Sequence, residues 1–349
     1  MRRIINIILL VGGSLILIFL GFLTYASLTD FQPGESETVG DYELAEPLSD
    51  SGSYSILDWN IGYAGLGASM DFFYDGGKKV RETEDNTRRN MYMISTFLVD
   101  SDTVDFILLQ EVDKAAKRSY FVNELDWLDR QLADFFPYFA PNYMVKFVPV
   151  PLKAPMGKVE SGIVTFSRPL AQNSVRISFP GNYSWPTKLF MLDRCFLVNR
   201  YPVSNGKDFI LINTHNSAYD DGSLRKGQMD YLKNYLLQQE ALGNYVLVGG
   251  DWNQSPAGFT PDFTNQLFDS INVTYIEQNF PNENWQWAYS NKKPTNRRVT
   301  TPYDKQTSLT TVIDLYLASP NIDIEEVRTI DLQFENSDHQ PVVLTFSFK

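Results

Sequence analysis

Beyond its first 52 residues, the chain contains a series of short apolar runs that are rich in β-forming residues. Runs such as Asp105–Gln110 and Tyr245–Gly249 are too short for typical helices and predict buried strands. Between them, apolar side chains recur at helical spacing. The predicted helices are Glu84–Asp100, Asn123–Phe136 and Leu224–Gln239. The other predicted strands cover residues 53–60, 138–149, 161–167, 190–199, 208–214, 311–318, 327–334 and 340–348.

Many strands with few helices, mixed along one chain, predict a single α/β domain. Two packed sheets with helices on their outer faces satisfy this pattern. Polar side chains cluster at the ends of the predicted strands, which are common positions for catalytic groups on a rigid scaffold. These clusters are Asp58-Trp59-Asn60, Gln110-Glu111, Asn213-Thr214-His215-Asn216, Asp251-Trp252-Asn253, Ile313-Asp314 and Ser337-Asp338-His339.

Taken singly, each cluster has a structural interpretation. Asn60 and Asn253 could be turn residues, and Glu111 could be a surface charge. The chain has only two histidines, however, and both follow or precede strands beside carboxylates or amides. Asp314 lies inside an apolar strand, where a carboxylate needs a cationic or hydrogen-bonding partner. The set therefore indicates a catalytic site more strongly than any of its members.

In their order and spacing, W-N, Q-E, T-H-N, G-D-W-N, I-D-L-Y and S-D-H-Q-P resemble the endonuclease/exonuclease/phosphatase superfamily, with the match spanning residues 54–348. That superfamily includes pancreatic-type DNases, abasic-site endonucleases, bacterial sphingomyelinases and inositol-polyphosphate phosphatases. The resemblance implies a four-layer α/β/β/α sandwich of two mixed sheets covered by helices. It also implies an active site at one end of the two central sheets.

The resemblance implies a metal site as well. Glu111 resembles the principal ligand of the catalytic cation, Asn60 the amide that helps to order metal and phosphate, and Asp338 a supporting group. Ligands that are all oxygen suit Mg²⁺, with Mn²⁺ as a possible substitute. The expected activity is Mg²⁺-dependent hydrolysis of a phosphoric ester.

The remaining motif residues resemble proton-transfer and phosphate-binding groups. His339 resembles the general base, with Asp314 accepting its ring N–H, and Asp251 resembles the carboxylate that orients or activates the attacking water. Asn253 resembles a donor to a phosphate oxygen, and His215 a donor to the phosphoryl oxygen or the leaving group. Whether His339 or Asp251 takes the proton of the water stays open.

Two basic patches lie in loops that would flank this site, around Lys78–Arg89 and Lys292–Lys305. Their charges are as well explained by solvated loops as by a second phosphate clamp. The candidate substrate-binding residues are Asn216, Arg297 and Arg298.

The amino terminus is predicted to be a membrane anchor. Ile4–Tyr25 is a run of 22 residues without charge, long enough to span a bilayer as a helix. Arg2 and Arg3 precede it and acidic residues follow, which places the rest of the chain outside the cytoplasmic membrane. The predicted divisions are an anchor at 1–27, an acidic flexible linker at 28–52 and a catalytic domain at 53–349. Cleavage after Ala26, as in a secreted protein, is the alternative.

The formal net charge of −12 disfavours non-specific binding to a polyanion. We therefore expect a phosphorylated small molecule or a lipid headgroup as substrate. An extracytoplasmic nuclease is the second hypothesis, which the superfamily permits. A non-catalytic, membrane-tethered binding module is the third, and the complete set of polar residues argues against it.

Overall fold

The computed structural model describes residues 1–101, 103–218, 220 and 222–349. Its helices are α1 Arg2–Leu28, α2 Glu84–Asp100, α3 Glu124–Gln131 and α4 Ser223–Ala241. Its strands are β1 Ser36–Asp41, β2 Ser53–Asn60, β3 Phe106–Asp113, β4 Phe136–Val148, β5 Gly157–Ser167, β6 Asn173–Ser178, β7 Cys195–Pro202, β8 Asp208–His215, β9 Tyr245–Asp251, β10 Leu267–Phe268, β11 Gln286–Ala288, β12 Asn296–Arg297, β13 Leu309–Thr311, β14 Asp314–Ala318, β15 Ile322–Thr329 and β16 Val342–Phe348.

The strands form two large mixed sheets and one small sheet. The first has seven strands in the order β1-β6-β7-β8-β9-β14-β11, and the second has six in the order β15-β16-β2-β3-β5-β4. A three-stranded sheet, β10-β13-β12, lies beside them. The two large sheets pack face to face through a buried core that includes Leu108 of β3 and Leu211 and Leu247 of the other sheet.

Helices cover the outer face of each sheet. Ile107 and Leu109 alternate with Leu108 along β3, so they point to the opposite face and pack beneath α2 and α3. On the other sheet, Leu232 and Leu236 of α4 pack on the outward-facing side chains of β8 and β9. The predicted four-layer sandwich of two mixed sheets covered by helices is thereby confirmed.

Parallel strand pairs bring the sequence motifs to one end of the sandwich. β2 and β3 are parallel, with Asn60 paired to Gln110, and β8 and β9 are parallel, with His215 paired to Asp251. β14 runs antiparallel to β9, so that Asp314 at its start lies opposite Asp251 at the end of β9. Because parallel strands end at the same edge of a sheet, residues far apart in sequence meet there.

Several predicted boundaries were wrong. The helix predicted at Asn123–Phe136 ends at Gln131, and Phe136 and Pro137 begin β4. Proline lacks an N–H but is tolerated there because β4 is an edge strand. The strand predicted at 327–334 lies at Ile322–Thr329, and the one predicted at 190–199 lies at Cys195–Pro202.

The segment 28–52, predicted to be a flexible linker, contains a strand. β1 pairs antiparallel with β6 at the edge of the seven-stranded sheet, and Leu48 forms a bridge with Val203. β1 has little apolar character because it is an exposed edge strand held mainly by backbone hydrogen bonds. That explains why its composition resembled a tether.

α1 is a 27-residue helix that is long and apolar enough to cross a membrane, and most of its surface lies outside the protein core. Within the part of the chain that the structure describes, only its carboxyl-terminal end packs against the residues that follow it. Leu23 is buried, and the ring of Phe22 stacks on that of Phe190 with centroids 5.7 Å apart. α1 is therefore a candidate membrane span that ends directly against the domain.

Candidate active site

The site lies in a cavity of about 500 Å³ at the end of the two central sheets. Glu111, His215, Asp251, Asp338 and His339 all line it. Although they come from both sheets and from loops far apart in sequence, the fold gathers them around one space.

The most tightly built part of the site is a histidine between carboxylates. His339 Nδ1 lies 2.9 Å from both carboxylate oxygens of Asp314, which is completely buried at the start of β14. Its Nε2 lies 3.7 Å from Asp251 Oδ2. The indole of Trp59 donates to the His339 carbonyl oxygen at 2.9 Å. These contacts fix both the position and the ring orientation of His339.

The histidine and the carboxylates of this cluster shift one another's pKa values. Burial alone would lower the pKa of His339, but the carboxylates of Asp314 and Asp251 outweigh it and hold that pKa well above its ordinary value. Burial raises the pKa of Asp251 to about 6, even though the His339 imidazole and two hydrogen-bond donors favour its ionised form. The carboxylates therefore favour the protonated form of His339, and the raised pKa of Asp251 lets that carboxyl take up a proton closer to neutral pH than an ordinary aspartate does.

Asp251 is the hub of the polar contacts. Its Oδ1 accepts the backbone N–H of Asn253 at 2.9 Å, and its Oδ2 accepts the side-chain amide of Asn60 at 3.0 Å. His215 Nε2 lies 3.5 Å from the same Oδ2. One carboxylate thus links residues of four separate motifs.

His215 differs electrostatically from His339. Burial, together with the nearby Arg194 guanidinium, places its pKa well below the ordinary value, so its imidazole is neutral. Its Nδ1 is buried and makes no hydrogen bond to the residues that the structure describes. A neutral imidazole at this position can donate one hydrogen bond without adding charge.

Left-handed backbone conformations orient two of the side chains at the site. Glu111 and Asn253 have positive φ values of 55° and 51°, which non-glycine residues seldom adopt. A register irregularity between Leu109 and Val112 in the β3–β5 pairing turns Glu111 away from the regular strand direction. The Asn253 side chain then donates to the Asn216 carbonyl oxygen at 2.9 Å, so it also braces the neighbouring loop.

A buried arginine supports Glu111. The guanidinium of Arg118 makes a two-pronged ion pair with Asp113, at 2.9 and 3.1 Å, and lies 4.0 Å from Glu111 Oε2. It also stacks over the Tyr63 ring, 3.7 Å from its centroid. The main partner of Arg118 is Asp113, which leaves the Glu111 carboxylate available to the cavity.

Three predicted metal ligands lie near one another. Asn60 donates to Glu111 Oε1 at 3.3 Å. Asp338 is buried, and burial together with Glu111 raises its pKa to about 7, although His339 lowers it. Two carboxylates whose charges repel each other, with an amide beside them, offer the oxygen ligands that a hard divalent cation prefers, and such a cation would offset the repulsion. The residues present therefore fit such a cation.

A second set of ligand-type atoms, from Asp251, Asp314 and His339, lies within 4.8 Å of one another. His339 Nδ1 is already hydrogen-bonded to both oxygens of Asp314, and a proton held there excludes a cation from the same position. This set is better explained as a proton-transfer cluster than as a metal site.

The predicted substrate-binding residues are placed differently from one another. Asn216 is fully buried, with its side chain bonded to Thr214 and Met229, so it does not face the cavity. Arg297 lines the cavity but is only 1% exposed, and it donates to the carbonyls of Leu66 and Gly67 in the loop after β2. Arg298 lies at the cavity edge, 3.6 Å from Asp269. Arg297 and Arg298 thus both line the cavity, and Arg298 is the more exposed of the two.

Two cavity residues were not predicted as individual site residues. Asn296 Nδ2 lies 2.9 Å from His339 Nε2. Arg194 donates to the His215 carbonyl oxygen at 3.4 Å, and its charge interacts with those of Glu111 and Asp251. Burial lowers the pKa of the Arg194 guanidinium. Asn296 belongs to a loop already noted as basic, whereas nothing in the sequence around Arg194 distinguishes it from a surface arginine.

The fold is the scaffold of a class of phosphoester hydrolases. A family model described as the Endonuclease/Exonuclease/phosphatase family matches residues 89–339, and the chain belongs to this family. Family members of this kind are phosphoester hydrolases that typically use a divalent metal. Among curated proteins, no sequence matches the chain significantly.

Several solved structures share the fold. The endonuclease/exonuclease/phosphatase from Bacteroides vulgatus is 15% identical, with a TM-score of 0.55 over 86% of this chain and 100% of that one. The human Nocturnin catalytic domain with bound sulfate is 17% identical, with a TM-score of 0.54 over 85% and 94%. D. rerio TDP2 complexed with single-strand DNA product is 16% identical, with a TM-score of 0.53 over 84% and 99%.

Proposed function

We propose that this protein is a divalent-metal-dependent phosphoester hydrolase, anchored by α1 in the cytoplasmic membrane with its catalytic domain on the outer side. The observation that carries the proposal is the presence of Glu111, His215, Asp251 and His339 around one cavity. A binding module needs no such combination of a buried acid–imidazole pair, a neutral imidazole and a separate carboxylate.

Different residues would supply the proton acceptor and the hydrogen-bond donors that hydrolysis needs. A water hydrogen-bonded to both His339 Nε2 and Asp251 Oδ2, which lie 3.7 Å apart, can give its proton to the ionised carboxylate of Asp251 or to the neutral form of the His339 ring. Asp314 holds the ring and favours the imidazolium that forms. His215 and Asn253 are positioned to donate to a phosphoryl or leaving oxygen, and Arg194 adds a positive charge on the same side.

Glu111 and Asp338, with Asn60 beside them, would hold the cation, for which we propose Mg²⁺. When bound, it neutralises charge on the phosphoryl oxygens. In its present orientation the Asn60 amide nitrogen faces Glu111 and Asp251, while its oxygen accepts from Gly62 N–H at 3.0 Å. Asn60 therefore orders the carboxylates, and direct ligation by its oxygen would require the amide to turn.

The proposed substrate is a small or lipid-linked phosphate ester. The net charge of −12 opposes binding to a long polyanion, and an anchor formed by the candidate membrane span would keep the site near lipid. A nucleic acid is the alternative, since D. rerio TDP2 was solved with a single-strand DNA product.

A hydrolysis panel tests the proposal. The full chain in detergent, with Mg²⁺, would be given plasmid DNA, single-strand DNA, sphingomyelin, phosphatidylinositol bisphosphate, inositol trisphosphate and nucleotide phosphates. We expect turnover of a small or lipid phosphoester, loss of that turnover in excess chelator and recovery with Mg²⁺ or Mn²⁺. Rapid DNA cleavage would favour the nuclease alternative, and full activity in chelator would contradict metal dependence. Binding without turnover of any substrate would indicate the non-catalytic module.

A further inference from the structure

Two segments of the catalytic domain, residues 144–153 and 183–190, meet the end of the candidate membrane span; we call them the anchor face. Phe22 of α1 stacks on Phe190 and meets Phe147 edge-on, with ring centroids 5.7 and 6.1 Å away. The Trp185 indole donates to Ser27 Oγ at 3.3 Å. The anchor face is therefore held next to the point at which the chain would leave the bilayer.

The anchor face exposes side chains suited to a membrane surface. Leu152 is 88% exposed and Trp185 57%, and Phe147 and Val150 are also exposed. Lysines 146 and 153 are exposed among them. Exposed apolar and aromatic side chains interspersed with lysine fit the interface of a bilayer, where rings lie at headgroup level and ammonium groups meet phosphates.

The same segments continue into the wall of the active-site cavity. Tyr183 lies within the anchor face, Met191 and Leu192 follow it, and Met156 follows its first segment; all four line the cavity. Tyr143, immediately before that segment, lines the same wall. The cavity thus has an apolar wall that adjoins the anchor face, and its other lining carries the carboxylates, imidazoles and arginines.

We propose that the anchor face rests on the lipid surface and that the cavity takes the phosphorylated headgroup of a lipid in the same membrane. This proposal rests on the proposed phosphoester hydrolysis and specifies its substrate class. Water adds its oxygen to phosphorus, the bond from phosphorus to one ester oxygen breaks, and the proton of the water passes to that oxygen. The lipid chains stay in the bilayer throughout, beside the apolar wall.

Tryptophan quenching tests contact with lipid without depending on activity. The full chain and Trp185→Phe would be reconstituted in phosphatidylcholine vesicles, with and without brominated acyl chains. The other five tryptophans are common to both proteins. We expect brominated lipid to quench a component of fluorescence that Trp185→Phe lacks. Equal fractional quenching of the two proteins would overturn the proposed contact.

Matched lipid and soluble substrates test delivery from the membrane. We would compare phosphatidylinositol bisphosphate with inositol trisphosphate, and sphingomyelin with p-nitrophenyl phosphorylcholine, in the reconstituted full chain. The test variant is Leu152→Ser with Trp185→Ser, and the control is Leu242→Ser, whose leucine is 63% exposed at the end of α4. We expect the double variant to lose at least about tenfold on vesicle lipid while soluble turnover and the control stay within about twofold.

The outcomes separate the two proposals. Equal loss on lipid and soluble substrates, no loss on lipid, or turnover of soluble substrates alone by the wild type would overturn the lipid inference while leaving phosphoester hydrolysis intact. Absence of turnover on every substrate by the wild type would contradict the proposed function, and with it the lipid inference, even if Trp185 were quenched by lipid.

Discussion

At the scale of single residues, Asp314 determines how His339 behaves. It is fully buried, and both its oxygens lie 2.9 Å from His339 Nδ1. A carboxylate in this position fixes the tautomer of the neutral ring, with the proton on Nδ1, and stabilises the charged ring. An asparagine amide in its place would fix the tautomer only in part and would hardly stabilise the charged ring.

We therefore expect Asp314→Asn to lower kcat by roughly 100-fold or more, with a smaller change in KM, because the group lost acts on proton transfer. Steady-state kinetics on the substrate identified by the panel would measure this. Asp208→Asn, a half-buried carboxyl on β8 away from the cavity, serves as control. A kcat for Asp314→Asn within about threefold of wild type would contradict the assigned role.

Arg194 is the side chain that we propose as the positive charge beside the phosphoryl oxygens. It lies beside His215, and its charge interacts with those of Glu111 and Asp251. The only hydrogen bond that the structure describes for its guanidinium is a long one, of 3.4 Å, to the His215 carbonyl oxygen. A charge-assisted hydrogen bond to a phosphate oxygen contributes about 1.5–3 kcal/mol.

Arg194→Gln should accordingly reduce kcat/KM by about 10- to 150-fold. The matched control is Arg200→Gln, on the same strand region but paired with Asp208 at the other end of β7. Phosphate inhibition constants would provide a second readout, since Arg194→Gln should weaken inhibition by inorganic phosphate. Unaltered kinetics and phosphate inhibition would exclude Arg194 from the site.

At the scale of elements, the β8–β9 pair sets the distance between His215 and Asp251. Gly250 has φ of +146°, and a β-carbon there would collide with the Thr214 carbonyl on the neighbouring strand. Only glycine allows the two strands to approach in this way. The close approach of the two strands therefore requires glycine at the position before Asp251.

Two glycine substitutions should have opposite effects on stability. Gly250→Ala should destabilise the domain by several kcal/mol and reduce the soluble yield, because the clash is with backbone. Gly227→Ala, in α4 with open space around it, should raise the free energy of unfolding by about 0.5–1 kcal/mol. Thermal unfolding followed by circular dichroism would compare them. A stable, well-folded Gly250→Ala would show that the strands can separate without cost.

The turn before β7 should make stability depend on pH. Burial raises the pKa of Asp193 to about 7, with a further contribution from Asp30, against the lowering effect of Arg176 and Lys188. An unfolded aspartate titrates near 4, so between about pH 4 and 7 the folded state holds a proton that the unfolded state has released. This contribution to stability is complete below pH 4 and is lost as pH rises to 7.

Asp193→Asn removes that dependence. The melting temperature of the wild type should therefore fall, relative to that of the variant, as pH rises from about 4 to 7, and the two should then run parallel. Thermal scans of both proteins across this range measure the difference. A difference that does not vary with pH would show that Asp193 is ionised in the folded protein.

At the scale of the whole molecule, the order of the motifs predicted both the architecture and the convergence of the site. The apolar runs ending in Asn60, Glu111, His215 and Asp251 carry this information because parallel strands necessarily end together. The edge strand β1 was not predictable, since its stabilising contacts are backbone hydrogen bonds to β6. The internal partners of Asn216 and Arg297, Met229 and the carbonyls near Gly67, were not predictable either, because tertiary packing alone brings them together.

Glu111 and His339 are proposed to serve one reaction in one site, and a double-mutant cycle on hydrolysis would show whether they do. Glu111→Gln and His339→Ala should each lower kcat by about 100-fold or more. The kcat of the double variant should lie within about threefold of that of the less active single variant, because the effects of residues that act as a unit are not additive. Circular dichroism would confirm that all three variants fold. Losses that multiply in the double variant, or near wild-type turnover in either single variant, would contradict a shared active site.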